Sequence, residues 1–155
     1  MPADSEAAAG PPVLPHTWRP LGPRLAGIVF GTGLLVVCAF AWFGWDAETR
    51  AEFTTFQRAT LVGVGLLAFA CLYALVRSRV VAEVDRLVVV NGYRRHEYAW
   101  PEVVAVHLPP GAPWVTLDLA DGTTAAAMGI QGSDGDRARR AVRDLRRLVA
   151  ARSAP

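Results

Sequence analysis

Two long hydrophobic runs without a single charge dominate the first half of the chain. The first extends from Leu25 to Trp45 and the second from Ala59 to Val76, with a polar segment, Asp46–Arg58, between them. At 1.5 Å per helical residue they reach roughly 30 Å and 27 Å, about the thickness of a bilayer's hydrocarbon core. Arg24 precedes the first run, and Arg58 and Arg77 flank the second. One charge at the centre of such a helix costs ~2.5–3.5 kcal/mol on insertion, and neither run contains one. Helices that are apolar all round are also hard to bury in a chain of 155 residues, because the remainder cannot wrap every side. The pattern predicts a two-helix transmembrane hairpin over residues 24–77.

After Arg77 the hydrophobic period shortens. The segments RVVAEV (79–84), LVVV (87–90), YRRHEY (93–98), VVAVHL (103–108), WVTLDL (114–119) and TTAAAM (123–128) are rich in β-branched and aromatic residues, and turn signals separate them. Asn91-Gly92 reads as a type I′ hairpin turn, with positive φ at both central positions, and Asp121-Gly122 repeats the device. Asp85-Arg86 is a weaker turn, and residues 109–113 (PPGAP) form a stiff loop. Alternation in 114–119 sets Trp114, Thr116 and Asp118 on one face and Val115, Leu117 and Leu119 on the other. The result is an antiparallel meander of about six strands.

Ser133 then opens a helix, with Ser133-x-x-Asp136 imitating a capping box. Ala138, Ala141, Val142, Leu145, Leu148 and Val149 fall on one apolar stripe, and arginines occupy much of the remaining surface. This helix is expected across one open end of the sheet.

Residues 1–23 hold six prolines and little that builds a core, so they read as a disordered tail, with Trp18 and Arg19 in the lipid interface. Ala39-Phe40-Ala41 resembles a signal-peptidase site, but the apolar run continues through Trp42, Phe43 and Trp45, which favours an uncleaved helix with an aromatic belt. The segment Asp46–Arg58 nets −1, whereas Arg19, Arg24, Arg77 and Arg79 flank the other ends of the spans. The positive-inside rule then puts both termini, and the domain after residue 77, in the cytoplasm of a multi-pass plasma-membrane protein. Gly27-x-x-x-Gly31 and Ala70-x-x-x-Ala74 allow close helix approach, within the hairpin or between copies.

Composition adds to this picture. The chain is 52% hydrophobic with mean hydropathy +0.26 and net charge +2, and it contains no lysine. Cys38 and Cys71 both fall in the spans, at depths differing by roughly 10 Å. A disulfide needs Cα atoms within about 7 Å, so they read as small apolar residues.

Two spans, a β meander and a closing amphipathic helix resemble the bacterial pleckstrin-homology (PH) domain membrane proteins of actinobacteria, which include the low-molecular-weight protein antigen group. The run Arg86–Tyr93 (RLVVVNGY), Trp100–Val103 (WPEV), Leu117–Thr123 (LDLADGT) and Gly129–Ser133 (GIQGS) carry the resemblance, which covers residues 20–152. It implies a membrane α-helical hairpin joined to a mainly-β PH-like domain, residues 78–152. That domain would be a partly open barrel of about six or seven strands capped by the C-terminal helix. Eukaryotic PH domains that bind phosphoinositides carry a basic cluster in the first hairpin. The corresponding turn is read here as Glu83-Val84-Asp85-Arg86, which is partly acidic, so no headgroup-binding residues carry over.

The three histidines, His16, His96 and His107, lack partners at catalytic or ligand spacing, and there is no P-loop, G-x-S-x-G or H-E-x-x-H. No enzyme, cofactor or metal is implied. The candidate site is basic: Arg139, Arg140, Arg143, Arg146 and Arg147, beside Arg137, on the last helix, and Arg94 with Arg95 as a second small basic site. These arginines read as a solvated face, as a surface for anionic lipid headgroups worth ~1 kcal/mol per basic residue, or as a site for an acidic protein partner or homo-oligomer. Nucleic acid is excluded as a partner by the membrane tether and the lack of a base-stacking platform.

Overall fold

Uninterrupted apolar sequence with no internal charge makes two helices of 23 residues each, α1 (Gly22–Gly44) and α3 (Thr55–Arg77), in a computed structural model that describes residues 12–152. Both are long and apolar enough to cross a membrane, and almost none of their surface is buried by protein. They belong to one compact unit, residues 21–77. Gly27 and Gly31 face the partner helix. A β-carbon at these positions would lie 3.1 Å from Val76 Cγ2 and 3.3 Å from Leu72 Cδ1, so the two glycines serve packing within the hairpin. The polar segment between the spans forms a short helix, α2 (Ala47–Glu52). Asp46 caps it by accepting the Thr49 N–H at 2.7 Å, which holds the Asp46 carboxyl below the usual carboxylate range. Trp45 stacks on Phe53 at 5.3 Å and Trp42 meets it edge-on at 5.9 Å, so the two tryptophans of the aromatic belt cluster on Phe53.

Among the described residues the second unit is a β domain of seven strands and one α-helix. Strands β1 (His16–Trp18), β2 (Arg79–Ala82), β3 (Arg86–Asn91) and β4 (Arg94–Ala99) form one antiparallel sheet in that order. Strands β5 (Val103–His107), β6 (Trp114–Leu119) and β7 (Thr124–Gln131) form the other. Helix α4 (Asp136–Arg152) covers one side, burying Ala138, Ala141, Val142, Leu145, Leu148 and Val149 as the periodicity requires. The core also takes in Val80, Leu87, Val89, Trp100, Val115 and Leu117.

Three expectations change. Residues 16–18 are not a tail: Trp18 pairs with Val80 across the β1–β2 ladder and is buried in the core of the β domain. The three-residue strand is too short to announce itself, and a proline-rich flank hides it; residues 1–11 of the expected tail lie outside the described residues. The first strand pair is therefore β1–β2 with the whole helical hairpin inserted in its connection, and Glu83–Arg86 belongs to the second pair. Next, α4 starts at Asp136, after a 3-10 turn at Gly132–Asp134 and a positive φ of 57° at Gly135, so the Ser133 capping box does not open it. Last, the β3–β4 turn is the loop Gly92-Tyr93, and only Gly92 takes positive φ (59°). That is the φ signature of a type II′ turn, with glycine at the first central position.

Asn91 is released from the turn to join the sheets. Its amide nitrogen donates to the Ala126 carbonyl at 2.6 Å, and its amide oxygen accepts the Met128 N–H at 3.0 Å. One side chain thus pairs β3 with the open edge of β7. Nearby, Gly129 crosses β2 so closely that a β-carbon would sit 2.6 Å from the Arg79 Cα.

Candidate functional site

The arginines of α4 do not act as one set. The helix carries seven arginines against two aspartates, Asp136 and Asp144. Arg139 pairs with Asp136 at 2.9 Å and Arg147 with Asp144 at 3.0 Å, each one turn away. Arg146 stays exposed but lies against β5, where its Nε donates to the Val106 carbonyl at 2.8 Å. Because β5 is an edge strand, that bond occupies a main-chain acceptor that would otherwise face solvent. Arg152 makes the equivalent contact with the Val84 carbonyl at the far end of the helix. All of these arginines except the half-buried Arg147 are exposed, and Arg139, Arg140 and Arg143 lie in the strip opposite the apolar stripe.

Arg94 and Arg95 do not form one basic site. Adjacent strand residues project to opposite faces, so Arg94 lies on the face of His96 and Tyr98, and Arg95 on the face of Glu97. Glu97 accepts both Arg95 and Arg86 at 2.7 Å, and Arg86 also holds Asp85 at 2.8 Å. Arg86, with Arg95 beside it, holds the Glu97 carboxyl below its ordinary value, and Arg86 lowers Asp85 likewise; the two acids raise the pKa of Arg86. This face of β4 is an alternating ion network, and Arg95 is neutralised within it.

The histidines have surroundings that sequence spacing does not reveal. His107 Nε2 lies 2.7 Å from Asp118 Oδ2, against the expectation that no carboxylate is near. Ala105, not His107, is the register partner of Asp118, so the pair is an ordinary cross-strand diagonal of the regular ladder. Both side chains are exposed at the surface. A shallow groove of about 320 Å³ runs beside them between β5 and α4, lined by Val104, His107, Arg146 and Val149. His96 stacks on Tyr98 with ring centroids 6.3 Å apart. Among the described residues no three His, Cys, Asp or Glu side chains converge on a metal-sized site.

The surface feature that periodicity alone missed is β4 itself. It is the outer strand of its sheet, and Arg94, Arg95, His96, Glu97 and Ala99 are all exposed. A strand alternating toward a core on one side has half its residues buried; β4 has none. The missing apolar alternation in RRHEYA is the signal that marks it as an edge.

Residues 77–148 match the bacterial PH domain family. Uncharacterised proteins of Mycobacterium tuberculosis and Mycobacterium bovis are 30% identical to the chain over 139 residues, which is 88% of this chain and 86% of theirs. That length of alignment takes in the two long helices as well as the β domain. No solved structure matches the chain.

Proposed function

The chain belongs to the bacterial PH-domain family, and from that premise we propose that it is a non-enzymatic integral membrane protein whose PH-like domain serves protein interaction or assembly at the cytoplasmic side of the cell envelope. The observation that carries this reading is the insertion of the apolar hairpin between two paired strands. Trp18 and Val80 are ladder partners, so the chain leaves the domain and returns to it at one point, with all 23-residue apolar helices in between. An anchor built into the sheet holds the domain at the bilayer more firmly than a flexible linker would. Flanking arginines and the net negative outer segment support the cytoplasmic orientation.

The test is photocrosslinking of the full-length chain in its own membrane. Amine-reactive reagents are unsuitable, because there is no lysine. A photoreactive residue at His96, Val104 or Arg140 samples the three exposed surfaces of the domain. Discrete protein adducts, of a partner or of a second copy, are expected; recovery of only the monomer from all three sites would overturn the reading.

A second reading draws on the exposed strip of Arg139, Arg140 and Arg143: attraction to anionic lipid. Full-length protein in neutral vesicles would then capture anionic vesicles at low salt and release them at high salt. Capture unaffected by salt, or by neutralising all three residues, would exclude it.

A further inference from the structure

We propose that β4 is a self-pairing edge, through which two copies of this chain join their four-stranded sheets into one. The proposal rests on the assembly reading above and names the partner, a second copy, and the surface.

The backbone settles which groups are available. The β3–β4 hairpin closes on the paired residues Asn91 and Arg94 around a two-residue loop, so hydrogen-bonded pairs recur at His96 and Tyr98. The main-chain groups of Arg95, Glu97 and Ala99 therefore point away from β3. Two contacts agree with this parity. The Arg86 carbonyl, opposite Ala99, accepts from Glu83 on the β2 side at 2.9 Å. The Ala99 N–H donates outward, to the Glu102 carboxylate at 2.7 Å. Glu102 thus closes the end of the edge, leaving Arg95 and Glu97 as its open donors and acceptors.

Charge then selects one register. A two-fold pair of β4 strands must be antiparallel, and it must set outward-facing residues opposite each other. Centring on Arg95 opposes two arginines, and centring on Glu97 opposes two glutamates; both are repulsive. Centring on His96 sets Arg95 of each copy against Glu97 of the other. Each such pair exchanges both backbone hydrogen bonds while its side chains attract. On the other face the same register sets Arg94 against Tyr98 of the second copy, a cation over an aromatic ring, with the two His96 residues between. The sequence Arg94–Tyr98 is thus complementary to itself read backwards in one register only. A single strand pair is a small contact, and the hairpin anchor concentrates both copies in one plane of membrane.

The test uses full-length protein in lipid vesicles, with Cys38→Ala and Cys71→Ala removing the native thiols. His96→Cys at the two-fold axis is expected to form a disulfide-linked dimer on mild oxidation. Val104→Cys, also exposed but on β5, serves as the control and stays monomeric. Adding Arg95→Glu makes the edge wholly acidic and adding Glu97→Arg makes it wholly basic, and either lowers crosslinking at least tenfold. Mixing the two variants restores it, because acidic and basic edges match in the same register, and that recovery also shows both are folded. No dimer from His96→Cys, equal dimer from Val104→Cys, or charge variants that crosslink alone would overturn the proposal. Energy transfer between labelled copies that persists without a His96→Cys dimer would reject β4 and leave assembly standing. Absence of both energy transfer and protein adducts would reject both.

Discussion

Replacing Asn91 by alanine removes both hydrogen bonds that tie β3 to β7, and its cost separates two explanations of that residue. As a turn residue, Asn91 would contribute little: its φ is not in the left-handed region, and surface substitutions of that kind stay within ~0.5 kcal/mol. As an inter-sheet clasp, it makes two neutral bonds, at 2.6 Å and 3.0 Å. Each is worth ~0.5–1.5 kcal/mol, and the half-buried Met128 N–H and Ala126 carbonyl lose their partner as well. Partial access of water to both groups keeps that penalty small, so the expected loss is roughly 2–3 kcal/mol. In urea this displaces the unfolding midpoint of the β domain by about 1–2 M. The measurement is urea unfolding of the micelle-solubilised chain, with hydrogen exchange at Met128 as the local probe. Asn91→Asp sharpens the test, since Asp-Gly is as good a turn sequence as Asn-Gly but sets a carboxylate against the Ala126 carbonyl. Loss of protection at Met128 with both variants destabilised is the expected result. A midpoint unchanged in both would refute the clasp.

Trp18→Ala is expected to cost ~3–5 kcal/mol by emptying a core position, releasing β1 to protease digestion while α1 and α3 stay intact; resistance equal to the parent's would return residues 16–18 to the status of a tail. Glu97 titrates below its ordinary 4.5 because Arg86 and Arg95 stabilise the carboxylate, so its contribution is complete above that value and lost as pH falls through the lower, folded one. Acid unfolding followed by circular dichroism should therefore show a shallower loss of stability below pH ~4 in Glu97→Gln than in the parent, and identical acid limbs would contradict the network. With the native cysteines replaced, Glu48→Cys in α2 should react with an impermeant thiol reagent on intact cells and Ser133→Cys should not; the reverse pattern would invert the orientation.

The two apolar helices, the six strands after residue 78 and the stripe of α4 were all legible in the order of residues, because each answers to a local rule. Spans need length without charge, strands need β-branched runs between turns, and an amphipathic helix needs its 3.6-residue period. Three features depended on the tertiary structure. Strand β1 exists only because β2 offers it a ladder, and its three residues have no period to read. Asn91 sits where a turn signal and a long-range contact coincide, and only the position of β7 reveals which it serves. The arginines were visible as a basic run, but partners distant in sequence decided their fates: Arg146 covers the β5 edge, and Arg95 is neutralised beside Glu97 in a network that Arg86 joins from β3. Local pattern specifies elements because backbone geometry is local. Which edges stay open, and which charges remain to act, follows from how the sheets meet.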